Sequence, residues 1–117
     1  MNKARYTSPH CEMLFDCDIG EGTWIGHWTV IDGSGGLKIG KNCSIASGVH
    51  IYTHSTHKLT TEGKPKILAP VTIGDNVAIG ANSVIMYGCE IGDNVCIPAL
   101  TLLKPYTRIE KVEKQSR

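Results

Sequence analysis

Every isoleucine of this chain falls on a six-residue lattice: Ile19, Ile25 and Ile31, then Ile39, Ile45 and Ile51, then Ile67, Ile73, Ile79, Ile85, Ile91, Ile97 and Ile109. Met13 and Leu103 fill two further lattice positions. A period of six fits neither a helix of about 3.6 residues per turn nor a strand alternating every second residue, so the repeat itself must be the structural unit. Two more columns travel with it. Four residues after a lattice position comes a small or β-branched side chain, among them Cys17, Thr23, Thr29, Cys43, Val49, Val77, Ser83, Cys89 and Val95. Three residues after it comes Gly22, Asn42, Gly48, Asn76, Asn82, Gly88 or Asn94, types that tolerate positive φ at a sharp corner. Each hexad therefore reads as a short strand and a turn. Three hexads per coil stack Ile73, Ile91 and Ile109 in one column and Ile79 and Ile97 in another, with strands about 4.8 Å apart. The expectation is an all-β chain: a parallel β-helix of triangular section over residues 13–109, an N-terminal segment or cap at 1–12 and a charged tail at 110–117.

At 117 residues this is one domain. Both ends of a solenoid expose unpaired strand edges, so association with other copies is expected. The 12 basic residues nearly balance the 11 acidic ones and form no stripe, which argues against a nucleic-acid partner. The first apolar run is short and interrupted by Asp16 and Asp18, and no apolar stretch is long enough to span a bilayer, so no integral membrane segment and a cytoplasmic location are expected. Cys17, Cys43 and Cys89 belong to the inward small-residue column, where a free thiol behaves as a small hydrophobe; Cys11 precedes the repeats and Cys96 takes an outward or corner position. No CxxC pair exists to propose zinc. Trp24 and Trp28 fall on turn positions of the early coils, suited to packing against a neighbouring subunit or stacking on a sugar.

The lattice breaks twice, and an insertion into a solenoid must loop out while the coils around it keep register. Between Ile31 and Ile39 the spacing is eight, with Asp32-Gly33-Ser34-Gly35-Gly36 as a tight corner. Between Ile51 and Ile67 it is 16, so an excursion at about 53–66 leaves the prism, opening with Thr53-His54-Ser55-Thr56-His57-Lys58. A histidine where a rigid strand becomes a loop is held by the scaffold yet open to ligands, which suits a general base. Asp32 can orient that base, bind an acceptor hydroxyl, or simply serve turn chemistry.

The strings Ile31 to Gly40, Ile51 to His57 and Pro70-Val71-Thr72-Ile73-Gly74-Asp75-Asn76-Val77, followed by Ile79-Gly80-Ala81-Asn82, resemble the hexapeptide-repeat acyltransferases. The likeness is to the sugar and polysaccharide O-acetyltransferases and the galactoside and maltose acetyltransferases, over roughly residues 19–97. It implies a left-handed β-helix, a homotrimer with active sites between subunits, and acetyl-CoA as donor to a hydroxyl of a sugar or saccharide precursor. By position it implies His54 as catalytic base and Gly80, Ala81 and Ala99 at the donor; with it, Asp32 is a candidate at the substrate, His57 for substrate or a donor phosphate, and Lys104 for a donor phosphate, with no metal. The chain departs from the family pattern where Ala78 replaces a frequent tryptophan, Pro98 a usual glycine, and Lys104-Pro105-Tyr106-Thr107-Arg108 the closing Gly-x-Pro-Ala-Lys segment.

Three other readings share these residues. A zinc enzyme of the γ-carbonic-anhydrase type needs three converging histidines, and of His10, His27, His50, His54 and His57 only the last three cluster. A non-catalytic or donor-impaired solenoid that binds a sugar or nucleotide sugar fits the altered closing segment. N-acetylation of an amino sugar is separated poorly from O-acetylation by sequence.

Overall fold

The structure, a computed structural model, describes residues 1–113, so the last four residues of the expected tail lie outside the described residues. The chain is a left-handed parallel β-helix of about five coils. Three sheets of five parallel strands form the prism walls. Sheet A stacks β3 (Asp18–Ile19), β6 (Leu37–Ile39), β11 (Val71–Ile73), β14 (Glu90–Ile91) and β17 (Arg108–Ile109). Sheet B stacks β1 (Tyr6–Thr7), β4 (Trp24–Ile25), β7 (Ser44–Ile45), β12 (Ala78–Ile79) and β15 (Cys96–Ile97). Sheet C stacks β2 (Glu12–Leu14), β5 (Val30–Asp32), β8 (His50–Ile51), β13 (Val84–Ile85) and β16 (Leu102–Leu103). The chain visits A, B and C in turn, so each sheet meets the next at a corner.

Register follows the isoleucine columns. Ile73 pairs between Ile39 and Ile91, and Ile79 between Ile45 and Ile97. Ile19, Ile25, Ile31, Ile51 and Ile85 are wholly buried, each contributing about 1.5–3 kcal/mol of transfer energy. The second column lies inward as well: Thr23, Val49, Ser83 and Cys89 are fully buried. Its hydroxyls are satisfied by corner carbonyls, Thr23 Oγ1 donating to Gly40 at 2.7 Å and Ser83 Oγ to Pro98 at 3.0 Å. Burial pushes the Cys43 and Cys89 thiols up, and that of Cys17 to about 11, as expected of structural rather than reactive cysteines. Cys96 faces solvent.

The corner asparagines and glycines all take positive φ, and so do Trp28 (60°), Leu100 (60°) and Tyr106 (62°) at equivalent positions. The repeat geometry thus imposes the left-handed conformation on three bulky residues whose identity does not announce it. Trp24 is on strand β4 and not at a turn; only Trp28 is at a corner.

Two further departures concern the ends of the repeat. Residues 1–12 do more than cap: Asn2 bridges to Ile19, β1 pairs with β4 and β2 with β5, completing a first coil without hexad signals. Ile67 is not a coil strand. It belongs to β10 (Ile67–Leu68), which pairs antiparallel with β9 (His54–Ser55), and the helix α1 (His57–Glu62) bridges the two. The excursion therefore extends past residue 66 to Leu68, and the coil resumes at Val71, which pairs with Leu37. Ile67 shares the lattice spacing without its burial because an antiparallel ribbon, standing off the prism, pairs it with Ser55.

Candidate active site

Both lattice breaks fall on the corner between sheets C and A, in successive coils. The site is their contact. Asp32 ends β5 and is wholly buried beneath the excursion. Its Oδ1 accepts the Ser34 N–H at 2.9 Å, and its Oδ2 accepts the Thr53 N–H at 2.9 Å and faces His54 Nδ1 at 2.5 Å. Thr53 Oγ1 accepts the Gly35 N–H at 2.8 Å and donates to the Asp32 carbonyl at 2.9 Å, closing the glycine corner onto the strand that carries His54. Gly35 is required there, because a Cβ would fall 2.2 Å from the Thr53 carbonyl oxygen.

Burial pushes the Asp32 carboxyl up, but hydrogen bonds from Ser34, Thr53 and His54 outweigh it and bring its pKa down to about 2. An ionised carboxylate only accepts, so the proton of this contact belongs to His54 Nδ1. That tautomer leaves the Nε2 lone pair free on a ring that is 36% exposed. Ser34 Oγ lies 3.2 Å from the same Nδ1, where it can only share the proton directed at Asp32.

The remaining residues are distributed over two edges. His57 opens α1 on the surface, with its Nδ1 2.6 Å from Ser55 Oγ. Gly80 and Ala81 lie on the corner between sheets B and C with Ala99 stacked on them; a Cβ on Gly80 would come 2.3 Å from the Ala99 nitrogen. Lys104 is exposed on the corner between C and A, two coils beyond His54. Asp32 and His54 are therefore joined within one chain, whereas His54 and the Gly80–Ala99 corner occupy different edges of the prism. Ser34 and Thr53 were not singled out by sequence. Their signal was the stacking of the two breaks on one corner, which places Thr53 over Asp32. Among the described residues no group of three or more His, Cys, Asp or Glu could hold a metal ion within the chain; His50 is engaged instead with Tyr52 Oη at 2.9 Å.

Residues 70–105 match the family model for bacterial transferase hexapeptide repeats, and residues 18–53 that for the hexapeptide repeat of succinyl-transferase. The chain is 40% identical to the Saccharomyces cerevisiae protein YJL218W, an acetyltransferase by assignment, over 75% of this chain and 49% of that protein. It is 38% identical to a Staphylococcus epidermidis serine acetyltransferase over 82% of this chain and 44% of the enzyme. To the mitochondrial gamma carbonic anhydrase 2 of Arabidopsis thaliana it is 30% identical, over 83% of this chain and 33% of that protein. It thus spans between a third and a half of these relatives. Among solved structures, a hexapeptide-repeat acetyltransferase from Vibrio cholerae superimposes with a TM-score of 0.78 at 25% identity, covering 94% of this chain and 63% of that one.

Proposed function

This chain belongs to the hexapeptide-repeat transferase family, whose two matching models together cover more than half of it, and from that premise we propose that it moves an acetyl group from acetyl-CoA to a hydroxyl of a sugar or saccharide precursor. The observation that carries this reading is His54, tethered through Nδ1 by a buried, ionised Asp32, with Nε2 open at the principal break of the solenoid. Nε2 takes the proton of the acceptor hydroxyl as its oxygen attacks the thioester carbonyl, an effect worth on the order of 10²–10⁴-fold. The tetrahedral oxyanion collapses, the C–S bond breaks, and the imidazolium returns its proton to the departing thiolate. The products are the acetyl ester and free coenzyme A. Asp32 favours the imidazolium formed midway and holds the ring's tautomer, which its full burial fits better than contact with an acceptor hydroxyl.

In this reading Gly80, Ala81 and Ala99 receive the pantetheine arm along their corner, Lys104 meets a phosphate, and His57 lies toward the substrate. The active site then requires a second copy, since one chain holds base and donor corner apart. The outward columns leave sheets B and C, in whose columns Glu12 is the one Asp, Glu, Lys or Arg, as the faces for contact with another copy. Sheet A shows Asp18, Lys38, Thr72, Glu90 and Arg108 and is suited to water, while sheet C shows Glu12, Val30, His50, Val84 and Leu102. A homotrimer that turns sheet C toward its axis brings the C–A edge of one copy, with His54, against the B–C edge of the next, with Gly80 and Ala99.

The test is coenzyme A release from acetyl-CoA over a panel of sugars and amino sugars, for the parent and His54→Ala together. A sugar-dependent signal lost in the folded variant is expected. Turnover that survives in His54→Ala removes the histidine base, and an absence of both turnover and acetyl-CoA binding in the parent removes the transferase reading.

A further inference from the structure

The B–C edge continues below the Gly80–Ala99 corner as a ladder: the Leu100 N–H donates to the Ala81 carbonyl at 2.9 Å, that of Asn82 to Ser47 at 3.0 Å, and that of Gly48 to His27 at 2.9 Å. At its lower end lies a cavity of about 280 Å³ bordered by Trp24, His27, Ser44 and Ser47, together with Gly26, Ile45 and Ala46. A Cβ on Gly26 would meet the Ile45 carbonyl oxygen at 3.1 Å, so the two coils approach closely there. Two of the side chains are held in place. Buried Ser8 lies 2.5 Å from His27 Nδ1 and accepts the His10 N–H at 3.0 Å, leaving Nε2 as the free nitrogen of the His27 ring. Tyr6 packs edge-on against the Trp24 indole, ring centroids 5.4 Å apart, while Trp24 stays 44% exposed.

The chemistry of this lining selects among acceptors. It presents an aromatic surface, two hydroxyls and an imidazole, and among the described residues that border it none is charged. A zwitterionic amino acid would bring a carboxylate and an ammonium into a site with no ion to pair either, which is costly. A neutral ring with many hydroxyls instead lays its C–H face on the indole and shares hydrogen bonds with the rest. The volume is just below the roughly 300–1,000 Å³ of drug-sized sites, so about one sugar ring fits. A second cavity, bordered by Lys3, Asp18, Glu21, Lys38 and Asp75, has the opposite character.

We infer that the cavity beside Trp24 and His27 is the acceptor subsite and takes a neutral sugar ring, with Trp24 as stacking surface and His27 Nε2, Ser44 and Ser47 as hydrogen-bonding partners. This rests on the transfer reading above, in that the pocket shares its edge with the donor corner and receives His54 from the neighbouring copy.

The chain has two tryptophans, so in the Trp28→Phe protein the emission reports Trp24 alone. Titration of that protein with glucose, galactose and maltose, and separately with L-serine, should give a saturable change with a sugar and none with serine. In turnover with acetyl-CoA, Trp24→Ala should raise the acceptor KM about tenfold, the scale of one lost aromatic partner, with the acetyl-CoA KM unchanged; Trp24→Phe should recover most of the loss. The inference is overturned if serine and not sugar moves Trp24, if none of the three sugars does, or if Trp24→Ala leaves the acceptor KM as it was. The two readings separate cleanly. Saturable sugar binding without turnover keeps the pocket and removes transfer, whereas sugar turnover indifferent to Trp24→Ala keeps transfer and removes the pocket.

Discussion

Asp32→Asn isolates what the buried carboxylate does for His54. The amide offers one acceptor oxygen where the carboxylate offers two, and the structure uses both: Oδ1 for the Ser34 N–H, Oδ2 for the Thr53 N–H and His54 Nδ1. With the amide oxygen kept at Ser34, its NH₂ points at His54 and turns Nδ1 into an acceptor. The ring proton then moves to Nε2, the atom proposed above as the base. Loss of base catalysis predicts a kcat lower by about 10²–10⁴-fold, with the acetyl-CoA KM little changed. Stability falls too. The drop of the Asp32 pKa from an ordinary 3.8 to about 2 corresponds to about 2 kcal/mol at neutral pH. That figure already includes the Thr53 N–H bond, whose donor is left facing an NH₂ group in the variant. Long-range ¹H–¹⁵N spectra of the imidazole report the tautomer directly, coenzyme A release reports kcat, and urea unfolding reports stability. A variant that is folded, shows the proton on Nε2, and keeps kcat within a few-fold of the parent would refute the tautomer argument; one that keeps the proton on Nδ1 would refute the hydrogen-bond assignment beneath it.

Because the folded pKa of Asp32 is depressed, its contribution is fully present above about pH 4 and is lost as the pH falls toward 2; the stability difference between parent and Asp32→Asn should therefore shrink across that interval in acid titrations. Gly35→Ala forces a Cβ to within 2.2 Å of the Thr53 carbonyl oxygen, so it should cost about 1–3 kcal/mol in urea unfolding and lower kcat by displacing His54. Gly63→Ala, with nothing within 4 Å but a φ of 65°, should cost about 1–2 kcal/mol through backbone strain and leave kcat alone. Leu100→Asn relieves a left-handed leucine that is 79% exposed and should raise Tm; a lower Tm with a smaller assembly mass in light scattering would mean that another copy covers this leucine.

The prism was legible because burial and corner geometry act on every sixth residue at once. Isoleucine spacing set the three sheets and their register, and small residues such as Thr23 and Ser83 marked the inward positions that a large side chain cannot occupy. Where the same geometry was met by other residues, the period fell silent. The first coil forms from residues 1–12 through backbone pairing and a few side-chain contacts, with Thr7 standing over Ile25 where a lattice isoleucine would be. Trp28, Leu100 and Tyr106 adopt the corner conformation because their neighbours are locked above and below. Ile67 made the converse error: it kept the spacing by coincidence while an antiparallel ribbon took it out of the coil.

The site was legible as two interruptions and not as a contact. Sequence placed His54 and Asp32 at separate breaks; only stacking in successive coils on one corner brings Oδ2 to Nδ1 and makes Thr53 and Ser34 part of the same network. A linear reading cannot weigh the alternatives for Asp32, because turn residue, acceptor ligand and orienting group share one residue type. They differ in burial, and burial depends on what the excursion covers. The same holds on the B–C edge. Trp24 reads as a turn residue open to packing or stacking until the first coil supplies Tyr6 at its edge and Ser8 behind His27, so the N-terminal residues are what turn that corner into a shaped pocket.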